Sequence, residues 1–285
     1  MYLKALSGLA LSLTLLAATA AGAATPGDVA ATAAPPAAPD DVPHLDENTA
    51  LMVGANRLKL GVLAFEYGIV KQVSVGTDPP AWAARAFLPL FIPNAHLKVQ
   101  LLDHHPVAVA VQGGLYYILL DQQGSAAGSM ISAPLSLYPS VRVSPRVWLH
   151  GELTYVFVEA TGSGDYNEAG LNGSISARAW QAGLMLQVQL TRVVSIVARG
   201  RYQFYTGPLA FNGGKSLDPY TNVTIDGQAL PIVDHPWMAI AGVALLWKHL
   251  HLTVGAGYGY YFVPGIDLAY RTRGFVPEAS LAVIL

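Results

Sequence analysis

Over two long stretches in the second half of this chain, apolar and polar residues alternate one for one. Few structures accept that pattern apart from a strand with one greasy and one wet face. From Val193 to Tyr205 the set Val194, Ile196, Ala198, Gly200, Tyr202 and Phe204 is apolar, and Ser195, Arg199, Arg201, Gln203 and Tyr205 interleave with it. From His249 onward, Leu250, Leu252, Val254, Ala256, Tyr258, Tyr260 and Phe262 take one face. His249, His251, Thr253, Gly255, Gly257, Gly259 and Tyr261 take the other. Residues two apart share a face of a strand. A wall that is apolar outside and polar inside is that of a barrel standing in lipid.

Composition points the same way. Only 12% of residues are charged and 53% are hydrophobic, against about 25% charged in ordinary soluble domains. Yet beyond the N-terminus the best apolar run, Trp237 to Trp247, spans eleven residues, where a spanning helix needs about 20. The apolar surplus must therefore be buried in a large core or face lipid as strands, and the alternation selects lipid.

The chain opens with Lys4, an apolar run from Ala5 to Ala18 and the small residues Ala21-Gly22-Ala23. This is the layout of a secretory signal peptide over residues 1–23, cut near Ala23, and it is too short for a membrane anchor. There is no Cys, which excludes lipidation and a disulfide framework. Residues 24–48 are rich in Ala and Pro and carry five acids with no base. They bury too little apolar surface to offset chain entropy and are expected to form a disordered periplasmic tail. Residues 49–285 remain for the barrel, with fifteen bases against thirteen acids, so no electrostatic case exists for a nucleic-acid partner.

Eleven segments have spanning length, about 9–11 residues or more: 57–65, 69–77, 94–102, 107–120, 130–142, 146–159, 175–190, 193–206, 236–248, 249–263 and 274–285. Short turns at 66–68, 103–106, 144–145, 191–192 and 248–249 alternate with long connections at 78–93, 121–129, 160–174, 207–235 and 264–273. Bacterial barrels keep short turns in the periplasm and long loops outside. With both termini periplasmic an upward strand is missing, and Thr49–Gly54 is the one segment able to supply it. The expectation is an all-β, antiparallel, up-and-down transmembrane barrel of about 12 strands with a polar lumen; the alternative is 10, with one hairpin off the wall. Tyr117, Phe157, Trp180, Tyr202, Phe204, Trp237, Tyr260, Phe262 and Phe275 fall on lipid-facing sets near the long loops, as an interfacial aromatic girdle requires. Lys71 and Arg178 fall on the same sets close to strand ends, where long side chains snorkel.

The closing strand places Phe275, Ala279, Leu281, Val283 and Leu285 on one face. It resembles the C-terminal signal of bacterial outer-membrane β-barrel proteins, with Leu285 where the family usually carries Phe or Trp. The run Arg57-Leu-Lys-Leu-Gly-Val-Leu63, then Glu66-Tyr67-Gly68 and Val73–Thr77, is similar to the opening strands of uncharacterised barrels of that kind. The resemblance implies an outer-membrane location, outer-membrane lipid as surroundings, and the barrel-assembly machinery as a partner reading the C-terminal strand.

The expected lumen carries Lys98, Glu152, Arg199, Arg201, His249, His251 and Glu278 among its charged and titratable groups. Glu152 and Glu278 are the acids placed mid-strand facing inward; pairing with Arg199, Arg201 or Lys98 is the expected state of charges inside a barrel. His249 and His251 share a face and His104-His105 share a turn, but no ligand set stands at metal spacing. Neither a phosphate-binding Gly-rich loop nor a nucleophile elbow occurs. A structural or passive channel-forming barrel, without catalysis, cofactor or metal, is therefore the expected class. One alternative is an outer-rim hydrolase of lipid or peptide using Asp234 and His235; another is a soluble periplasmic binding barrel with its apolar face inward. Gly255, Gly257 and Gly259 leave part of the inner wall bare, for a water path or for packing.

Overall fold

The computed structural model describes residues 48–83, 90–120, 126–166, 169–207, 210–215, 235–247, 249–262 and 269–285. The expected signal peptide, and the tail up to residue 47, lie outside them. The sheet contains fourteen strands: β1 (Leu58–Gly61), β2 (Phe65–Val70), β3 (Val73–Thr77), β4 (Leu90–Phe91), β5 (Asn94–His104), β6 (Val107–Leu120), β7 (Ala126–Ser144), β8 (Val147–Tyr166), β9 (Ala169–Gln189), β10 (Val194–Thr206), β11 (Ala210–Lys215), β12 (Trp237–Leu246), β13 (Leu250–Phe262) and β14 (Ala269–Ile284). Twelve of them close into an antiparallel barrel, each pairing with its chain neighbour on the wall, while β4 and β11 cap the upper ends of β6 and β9. The short helix α1 (Pro79–Ala83) follows β3.

The count of twelve holds, but its composition differs from expectation. Thr49–Gly54 is not a strand. The missing strand comes from residues 57–77, which fold as three short strands and not two long ones. Glu66-Tyr67-Gly68, expected as a turn, lies within β2, and the turns fall at 62–64 and 71–72. Gly68, inside β2, is the point of closest approach to the N-terminal segment. A Cβ there would lie 1.7 Å from the Gly54 carbonyl oxygen, so the N-terminal segment is laid against β2 where only Gly admits it. Lys71 thereby leaves the wall for a turn and pairs with Asp103 at 3.0 Å.

Strands β7, β8 and β9 run to 19, 20 and 21 residues, well past what a bilayer needs. Much of 121–129 and 160–174, expected as loops, is strand. These extensions are Gly-, Ser-, Thr- and Ala-rich, with cross-strand contacts such as Ser129 to Thr161 at 3.0 Å. They lack an apolar face because they stand above the lipid, and alternation is a signal only where one face meets it. In the 207–235 connection, β11 continues the sheet on β9; the Thr221–Ile225 run and Asp234 lie outside the described residues.

Inside and outside follow the period of two. Buried residues on β6 are Ala108, Ala110, Tyr116 and Ile118; Leu115 and Tyr117 point out. The exterior band includes Leu115, Leu135, Leu184 and Val254, each more than half exposed. That disposition is the reverse of a soluble binding barrel with its apolar face inward. Tyr155 against Trp180 (4.9 Å) and Trp237 against Tyr258 (6.3 Å) form part of the outer aromatic girdle. Two bulges shift the expected faces. The register slips between Gln203 and Tyr205, bringing Tyr205 outward beside Trp180. It slips again between Tyr260 and Phe262, turning Phe262 inward, 5% exposed, and Tyr261 outward. A bulge inserts one residue and inverts the parity beyond it.

The bare inner wall of β12 and β13 has a backbone cause. A Cβ on Gly257 would lie 1.9 Å from the Ala239 carbonyl oxygen. Gly257→Ala is expected to lower stability by about 1–3 kcal/mol, the usual cost of overpacking, read as a leftward shift of the urea midpoint in refolded protein.

Candidate functional site

The lumen is crossed at its polar belt by ion pairs, and each pair reaches over glycine. Glu152 on β8 and Arg201 on β10 face each other across β9, where the register places Gly183 between them. Their side chains meet at 2.5 Å, both 9% exposed. A Cβ on Gly183 would lie 2.8 Å from Glu152 Oε2, so any larger residue there obstructs the bridge. Arg199 on β10 reaches Glu278 on β14 at 2.9 Å. The intervening strands present Gly242 opposite Gly255, itself opposite Glu278. Thr154 donates its hydroxyl to Glu152 at 2.9 Å, completing the carboxylate's shell.

The other half of the belt is occupied by the chain's own N-terminal segment. Thr49 and Ala50 are fully buried. The Ala50 N–H donates to Ser140 Oγ (2.9 Å), which in turn contacts His150 Nδ1 (2.8 Å). Gln100 Nε2 donates to the Ala50 carbonyl at 3.0 Å, and Lys98 Nζ to the Leu51 carbonyl at 2.8 Å. Lys98, 2% exposed, also lies 5.9 Å from the Tyr138 ring centre. Backbone groups with no strand partner are thus satisfied by side chains of β5 and β7, as buried backbone must be. Between Asn48, His150, Glu152, Arg199 and Arg201 a void of about 20 Å³ remains, room for a water or two and nothing larger.

Of the sequence-derived residues, Lys98, Glu152, Arg199, Arg201 and Glu278 therefore converge on this belt. His249 and His251 do not join it. His249 stands exposed in the turn before β13, its Nδ1 on the Ile284 carbonyl at 2.9 Å. His251 sits low on the inner face, opposite the buried Leu246 and Ala282. Two acids escaped the expected inward set: Glu66, bonded to Ser74 and opposite Lys59 in the register, and Asp78, which accepts from Tyr116. Glu66 was concealed by its apparent place in a turn. His235, offered for a rim hydrolase, stacks on Tyr202 at 5.8 Å with a positive φ of 55°, and its neighbour Asp234 lies outside the described residues. Among the described residues no three His, Asp or Glu gather as a metal site.

This geometry is a twelve-stranded barrel of the transmembrane type. No family model matches the sequence, and no curated protein matches it. Solved structures similar in fold include the translocator domain of the autotransporter NalP from Neisseria meningitidis, at 10% identity and TM-score 0.42, covering 80% of this chain and 83% of that one. The monoaromatic hydrocarbon channel CymD follows at 9% and 0.41, covering 80% and 86%. The Pseudomonas putida toluene transporter TodX follows at 12% and 0.39, covering 80% and 76%. At such identities no residue and no role carries over.

Proposed function

We propose that this barrel is exported, cut near Ala23, inserted in a bacterial outer membrane through recognition of its C-terminal strand, and acts there as a non-catalytic conduit held shut by its own residues 48–54. One observation carries the reading: the lumen holds a chain segment bonded by side chains and not by a strand ladder. A ladder is cooperative, whereas separate side-chain bonds from Gln100, Ser140, Tyr138 and Lys98, about 1 kcal/mol each for the neutral groups and about 1.5–3 for the charged Lys98, leave a segment that can be displaced. The polar belt around it would face water once it left; the Ser140–His150 contact within it is fully buried and its hydroxyl already accepts the Ala50 N–H, so it serves to hold the segment.

Planar-bilayer recording tests this directly. The mature protein should show little or no stepwise conductance, and a variant beginning at Gly54 should show frequent open events. Equal traces from the two, both silent, would reduce the barrel to a structural role; equal traces, both conducting, would refute closure by the segment.

A further inference from the structure

The barrel wall is not of even height. Strands β1, β2 and β3 have four, six and five residues, whereas the other nine wall strands have 10 to 21. At about 3.3 Å per residue and a tilt near 40°, the short strands rise roughly 10–15 Å, against an apolar band of about 25 Å. β1 pairs with β14 from Gly61–Ala282 to Lys59–Ile284; below that Leu58 and Leu285 exchange two backbone bonds, and above it the Val62 N–H reaches the Leu281 carbonyl. Above that, no described strand pairs with this edge of β14. Among the described residues the outer part of the wall between β14 and β5 is therefore notched at membrane depth.

Proline placement shows that the sequence encodes the notch. Pro134 falls where the β6–β7 ladder is interrupted, between Gly113–Leu135 and Tyr116–Ser132. Pro139 falls in the gap of the β7–β8 ladder between Leu137–Leu153 and Ser140–His150. Pro277 has an unbroken ladder on its β13 side. Leu285 and Leu281 direct their ladder groups toward β1, so by the period of two the absent N–H of Pro277 belongs to the β1 side as well. Proline within a sheet is confined to edges and interruptions, and here the open edge meets that requirement.

The lining is apolar on both sides of the gap. Outside stands Phe275, 72% exposed, the most exposed large hydrophobic side chain among the described residues. Inside lie Phe262 and Val276, packed with Met238 and Ile240. A Cβ on Gly274, on the inward-facing set, would meet nothing within 4 Å. At the upper end the exposed Arg273 holds its guanidinium 5.8 Å from the Tyr258 ring, at the height where lipid headgroups begin. We infer that the notch beside β14 binds an anionic, acyl-bearing lipid of the surrounding leaflet: the acyl chain passes Phe275 into the space at Gly274, and the phosphate sits on Arg273. Charge complementarity selects the headgroup, and an apolar gap open to the bilayer selects the chain.

This inference rests on the barrel being embedded in lipid, and its test separates the two. Because the chain has no Cys, single cysteines can carry a fluorophore without further changes. Bimane would be placed at Gly274→Cys, at Gly113→Cys on the outer wall, and at Ala177→Cys on the inner face of β9, four strands away round the wall. The protein would be reconstituted in phosphatidylcholine vesicles containing brominated-acyl phosphatidylglycerol. Quenching at 113 and 274 but not at 177 is the expected result, with the signal at 274 falling at least twofold in Arg273→Ala and failing to appear when the brominated lipid is phosphatidylcholine. Quenching at 113 alone would overturn the notch site while leaving the embedded barrel intact. Equal quenching of 274 by both lipids would overturn the role of Arg273, and none at 113 would overturn embedding itself.

Discussion

Replacing Glu152 with Gln is expected to destabilise the barrel by about 3–5 kcal/mol. Arg201 would then be a buried guanidinium without its counter-charge, and breaking a buried pair from one side carries that cost. The pair is 9% exposed on each side and its atoms are 2.5 Å apart, so water cannot substitute at full strength. Arg201→Met together with Glu152→Leu should recover most of the loss, since removing both charges also removes both desolvation penalties. Urea unfolding of the refolded protein in detergent measures all three. A Glu152→Gln variant within about 0.5 kcal/mol of the parent would mean that Arg201 is solvated in place, and that the lumen at this level is wet and not closed.

The second large effect is on the outer wall. Val254, 55% exposed in the middle of β13, faces the bilayer midplane, where Arg costs about 2–4 kcal/mol. Val254→Arg should therefore cut refolding yield into vesicles sharply. Thr253→Ser, one residue away on the inner face, should refold like the parent. The opposite order would show that the register of this strand is shifted by one and its faces exchanged. The same logic holds for Leu252→Arg against Thr253→Arg, except that the inner face beside Gly255 and Gly257 has little room for an Arg.

The sequence announces its architecture where one face meets lipid and the other meets water. Strands β10, β12 and β13 are legible because Val194 to Phe204 and Leu250 to Tyr258 obey a strict period of two. The tops of β8 and β9 are not, because the adjacent Thr161 and Gly162 are both exposed, so neither face is marked as apolar, and Ala160-Thr-Gly-Ser-Gly164 looks like a loop. The three short strands escape for a different reason. Leu58 to Val75 contains enough apolar residues for two spanning strands, and only the register of β2 against both β1 and β3 shows that they break at 62–64 and 71–72. Glu66 is hidden by its apparent turn, but parity alone marks Glu152, Arg199, Arg201 and Glu278 as inward. Their pairing over Gly183 and over Gly242 with Gly255 was not, since it needs the register between four strands at once. Ala50 illustrates the limit most sharply. Nothing in Thr49–Gly54 distinguishes a strand from a segment held in the lumen, because the difference lies in what β5 and β7 offer it.

Three residue pairs join the first wall strand to the last, while the last holds its other neighbour through twelve. A cylinder made from a single chain has one join that sequence neighbours do not supply, and here that join is among its shortest, level with the three pairs between β1 and β2. Loop-closure entropy falls almost wholly on this contact, so the sheet from β2 round to β14 can be complete while the cylinder is still open. The barrel should thus be the last part of itself to close and the first to part, and hydrogen exchange at Leu60 and Val283 should outpace that at Val197 and Ile240.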